Sequence, residues 1–125
     1  MTFLLFMAAL AFQDAAQETD PCEAFHTTVE MDQCYMELRD KRQAKVKKLV
    51  TEIRALLKER DDKRLSAAFE KAHKGWQSMA DSWCQINLIF YEGGSFAGLS
   101  AAICRCELLQ EHLDRLEAFK RDLSL

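Results

Sequence analysis

Five cysteines are the residues of this sequence best equipped for chemistry: Cys22, Cys34, Cys84, Cys104 and Cys106. Thiols can ligate a metal, attack an electrophile or pair as disulfides, and their spacing separates these roles. Cysteine-based zinc sites use close pairs such as C-x-x-C. Here the closest pair is Cys104-x-Cys106, and His26, His73 and His112 stand at no ligand spacing to one another. No metal and no cofactor are expected. There is no nucleophile elbow, phosphate loop or H-E-x-x-H segment either. The chain is not expected to be an enzyme. A disulfide framework remains, as suits a small exported domain, and an odd count leaves one thiol over. Cys106 reads as a small packed hydrophobe or a partner for intermolecular pairing.

Cys84 and Cys104 flank the segment Tyr91-Glu92-Gly93-Gly94-Ser95, each about ten residues from its centre. If both arms are helical, each rises about 1.5 Å per residue and the two thiols reach equal height on adjacent helices. Cys22 can then fold back onto Cys34. Four cysteines allow three connectivities, and Cys34 falls near the same end of the bundle, so the other pairings stay open. The segment itself reads first as a helix-hairpin turn. It is also a possible binding loop, offering the aromatic ring of Tyr91 and the carboxylate of Glu92.

The elements that must position these residues are helices. Thr27 and Thr28 are candidate N-caps. Apolar residues recur at Met31, Tyr35, Leu38, Val46, Leu49, Ile53 and Leu56, predicting a helix from about Thr28 to Arg60. The stripe is thinnest near Arg42, where a bend or break is expected. Asp61-Asp62 ends this helix and caps the next. The second helix carries Leu65, Phe69, Ala72, Trp76, Met79, Trp83, Ile86 and Phe90, steps that suit the seam of an antiparallel bundle. Both tryptophans read as core. Gly93-Gly94 ends this helix, and Ser95 caps a third bearing Leu99, Ile103, Cys106, Leu109, Leu113 and Leu116. The expected fold is all-α: a small up-down-up three-helix bundle with disulfides.

Residues 3–11 form an apolar run closing on Ala9-Leu10-Ala11. It is too short for a stable membrane span, which takes about 20 residues. It fits a signal peptide whose true start lies upstream, with an apolar terminal segment as the alternative. The domain reading is therefore residues 1–17 as signal and lead-in, and residues 18–125 as one helical domain. The formal charge is −3 but unevenly spread. Asp14 to Glu37 holds seven acids and no Lys or Arg; Arg39 to Arg64 holds eleven bases, five acids and no aromatic residue. Without interleaved aromatics or net positive charge, nucleic-acid binding is not expected.

Trp76, Asp81, Cys84, Gly93-Gly94-Ser95 and Cys104 resemble, in type and spacing, the motif of the lysozyme-inhibitor LprI family of bacterial envelope proteins. That motif has a Trp, an aromatic-Arg-Asp, a Cys, Gly-Gly-Ser and a further Cys. Cys22 and Met31-x-x-Cys34 resemble its upstream cysteine segments. The likeness spans about residues 22 to 116. Met79-Ala80 stand where the motif has Tyr-Arg, His73 where Gln is usual, and Leu109 and His112 where Thr and Arg are common. Asp81 is thereby expected to lose its Arg partner. The resemblance implies a helical, disulfide-linked protein of the periplasm or exterior, with a protein partner that for the family is lysozyme. A structural module for envelope assembly, with no lysozyme activity, is the alternative.

Overall fold

The computed structural model describes residues 21–125; the expected signal segment, 1–17, lies outside the described residues. Three helices follow in order: α1 Thr28–Arg60, α2 Lys63–Phe90 and α3 Phe96–Leu123. They run up, down and up, and pack as a bundle.

Local chemistry sets the helix ends. The Glu30 amide donates to Thr27 Oγ1 at 3.2 Å, using one of the amides a helix start leaves over. Asp61 closes α1 in the left-handed region at φ 52°, and its amide donates to the Lys58 carbonyl. Asp62 then caps α2 by accepting from the Leu65 amide at 3.0 Å. At the other end, Gly93 takes φ 84°, a conformation that costs a side-chain-bearing residue about 1 kcal/mol or more. Ser95 precedes α3 but makes no side-chain cap bond.

α3 is the centre of the bundle. It packs along α1, which runs parallel to it, and against the antiparallel α2, while α1 and α2 scarcely meet. The larger core joins Val46, Val50, Ile53 and Leu57 of α1 to Phe69 and Trp76 of α2 and to Leu109, Leu113 and Leu116 of α3. A smaller one, at the end holding the hairpin turn, gathers Cys22, Tyr35, Leu99, Ala102 and Cys106. Each fully buried aliphatic side chain contributes about 1.5–3 kcal/mol, with Ile53 and Leu109 wholly enclosed.

Two expectations are corrected. α1 is continuous through Arg42. The gap in its apolar stripe is bridged by Arg42 itself, whose guanidinium donates to the Cys106 carbonyl at 2.8 Å. Such a side chain covers apolar surface with its stem while its head finds an acceptor. The second correction concerns α2. Its buried face is Phe69, His73, Trp76, Ala80 and Cys84, whereas Met79, Trp83, Ile86 and Phe90 are exposed. Trp83 is thus not core. Successive helical residues point about 100° apart. Once Cys84 faces α3 to bond Cys104, its neighbour Trp83 must face elsewhere.

Candidate binding surface

Cys22 pairs with Cys34 and Cys84 with Cys104, each with Cα atoms 5.7 Å apart. The first bridge ties the lead-in to the second turn of α1. The second ties the upper part of α2 to α3. Cys106 lies in the smaller core, its Sγ donating to the Tyr35 carbonyl at 3.2 Å.

With α3 as floor, α1 and α2 stand apart at the disulfide end and leave an open cleft of about 760 Å³. Asp32, Met36 and Asp40 line it from α1, Asp81 and Leu88 from α2, and Arg105 from the floor. Arg39 pairs with its neighbour Asp40, and Arg105 with Asp81 across the α2–α3 contact. Arg105 also stands over the ring of Trp76, 5.7 Å from its centroid. Trp76 is buried; the Asp81 side chain stays largely exposed.

Below the cleft, a file of rings runs between α2 and α3. Trp76 stacks on His112 with centroids 3.9 Å apart, and His73 bonds His112, Nδ1 to Nε2, at 3.0 Å. Burial disfavours the imidazolium at both. It pushes His112 down to about 4, with nearby His73 and Arg115 adding to the effect. His73 is lowered by burial and then by Arg54, against an opposing pull from Glu70. His112 Nδ1 is buried with no hydrogen-bond partner among the described residues. A lone pair there costs less than a stranded N–H, which assigns the proton to His112 Nε2 and makes His73 Nδ1 the acceptor. Neutral and enclosed, the pair is built for packing; among the described residues no group of three or more His, Cys, Asp or Glu could hold a metal ion.

The hairpin segment Tyr91–Ser95 caps the same end of the bundle. Tyr91 is clasped edge-on by Phe90 and Phe96, with centroids 4.9 Å from each. The Gly94 amide donates to the Tyr91 carbonyl at 3.1 Å, and Glu92 is exposed. The sequence offered the turn and the cysteines but not the cleft, which exists because α2 leans mainly on α3 and meets α1 only sparsely.

The lysozyme inhibitor LprI family model matches residues 19–116. The chain belongs to the lysozyme inhibitor LprI family. No curated protein and no solved structure matches it. The LprI family is described as one of inhibitors, which act by binding another protein, not by catalysis. No helix among the described residues is long and apolar enough to cross a membrane.

The departures from the LprI motif now fall into two groups. Asp81, expected to lose its Arg partner at position 80, is met by Arg105 from the next helix, and position 80 is a fully buried alanine. His73 and His112, standing where Gln and Arg are usual, contact each other. At both places this chain has a polar contact across the α2–α3 interface. Facing positions on two antiparallel helices were the available signal, but without the register it could not be read.

Proposed function

We propose that this protein is an exported inhibitor of lysozyme, working in the periplasm or outside the cell, and that it meets its target with the disulfide end of the bundle. Family membership supports the activity and the two disulfides suit an oxidising compartment. The observation that carries the choice of surface is the segregation of charge. Residues 21–38 and 75–104, which build this end, contain Glu23, Glu30, Asp32, Glu37, Asp81 and Glu92 and no Lys or Arg. Arg39 and Arg105, which border it, are each held by an aspartate. Lysozymes are often strongly cationic, and an anionic end accelerates and orients such an encounter. In this reading Tyr91, Glu92 and Gly93-Gly94-Ser95 form a projecting tip suited to a cleft. The aromatic clasp on Tyr91 limits the entropy lost when the tip is engaged.

The test is a peptidoglycan-lysis assay with the purified, oxidised protein titrated against several lysozyme types, and a reduced, alkylated sample alongside. Dose-dependent loss of lysis with the oxidised form alone is expected. Unimpeded lysis by every lysozyme at large molar excess would sink the proposal and favour the assembly-module reading.

A further inference from the structure

The face of α2 opposite the cleft is apolar and bare. Met79, Trp83, Ile86 and Phe90 are 43, 59, 51 and 76% exposed, with Ile89 and Phe96 at their border. Together these six residues leave on the order of 700 Å² open, more than a soluble monomer usually carries in one apolar patch and near the roughly 800 Å² per partner of a stable interface.

Two features select the occupant. The steps between the four stripe residues are four, three and four, which read the same from either end. Two such helices, set antiparallel about a two-fold axis level with the Cys84–Gln85 bond, match Met79 with the partner's Phe90 and Trp83 with the partner's Ile86. That self-complementarity is what a two-fold interface requires, and a 3–4 alternation suits side-by-side helices crossing at about 20°. Charge is the second feature. Between Lys74 and Glu92 the one charged residue is Asp81, on the cleft side and held by Arg105. Two stripes therefore meet without like-charge repulsion, whereas a cationic partner finds no carboxylate on them.

We propose that the protein forms a two-fold symmetric dimer by antiparallel packing of the Met79–Phe90 stripe of α2 on the same stripe of a second copy. This goes beyond the inhibitor reading and does not depend on it. It leaves the cleft and the acidic residues of α1 open.

Sedimentation of the oxidised full chain, from low to several hundred micromolar, tests it. A reversible dimer is expected. Trp83→Glu and Ile86→Glu, both at exposed positions, should each weaken it about 30-fold or more with the helical circular dichroism unchanged. A short bismaleimide should join Met79→Cys copies to Phe90→Cys copies. It should not join Met79→Cys copies to one another, since the register sets those sites about 16 Å apart along the axis. A monomer throughout overturns the proposal, as does a dimer that survives both charged substitutions, for example one held by residues 3–11. Loss of lysozyme binding by Trp83→Glu in a protein that is monomeric to begin with overturns it too, and hands the stripe to lysozyme. A failed lysis assay leaves the dimer standing, so the two proposals fail separately.

Discussion

At the scale of single residues, the buried histidine pair ties stability to pH. His112 titrates near 4 in the fold against an ordinary 6.5, and His73 is shifted the same way. Unfolding therefore takes up protons between these values. Stability is complete above about pH 6.5 and is lost as pH falls towards 4, by up to about 3 kcal/mol for His112 alone. Urea unfolding at a series of pH values should show that slope, and His112→Gln, which can still donate to His73, should remove most of it. Arg105 and Asp81 give a second prediction. The pair is exposed on the aspartate side, so Asp81→Asn should cost under about 1 kcal/mol. Arg105→Ala, which also strips the face of Trp76, should cost about 1–2 kcal/mol and shift the tryptophan emission. His73 and His112 stood out in the sequence as departures from a family pattern and Asp81 as a carboxylate missing its Arg, but Arg105 did not stand out. Neither meeting was legible, because it depends on the rotation of α2 against α3.

At the scale of elements, the helices were legible and their faces only partly so. Capping chemistry is local, so Thr27, Asp61 and Asp62 marked the ends of α1 and the start of α2 correctly. The exposed stripe of α2 misled because spacing reports that a face is apolar, not which neighbour covers it. The upper half of α2 depends on α3 for its contacts, and the Cys84–Cys104 bridge is its main tie there. Replacing both cysteines by serine should lower stability by about 3 kcal/mol. Amide exchange should then be fastest in α2 beyond Trp76, while α1 and α3 stay protected. By contrast Leu109→Ala opens a void in the centre of the bundle and should cost about 2–5 kcal/mol in a urea melt, without a preferred site of opening.

At the scale of the whole molecule, the separation of acidic and basic ends was already written in the sequence, since the acidic stretch Asp14–Glu37 gives way to the basic stretch Arg39–Arg64 within α1. What the sequence left out is that the upper halves of α2 and α3, whose Arg105 is paired with Asp81, flank the acidic start of α1, making one anionic end. Association with a cationic lysozyme should therefore slow about tenfold between low and physiological salt. Neutralising Glu30, Asp32 and Glu37 together should slow association and leave dissociation nearly unchanged in surface-plasmon measurements. The parallel packing of α1 on α3 has a consequence for how the chain is made. The bonds that join these helices link residues 64, 68 and 71 positions apart. The helix that α1 must bury against is thus made after α1 and α2, and in the meantime α2 offers α1 little beyond the Arg54–Glu70 ion pair. Contacts so far apart in sequence slow folding relative to local ones. A growing chain is therefore expected to complete its core only once the 28-residue α3 has emerged. For the export proposed above, the order of these helices would help to keep the chain threadable through a narrow translocation pore.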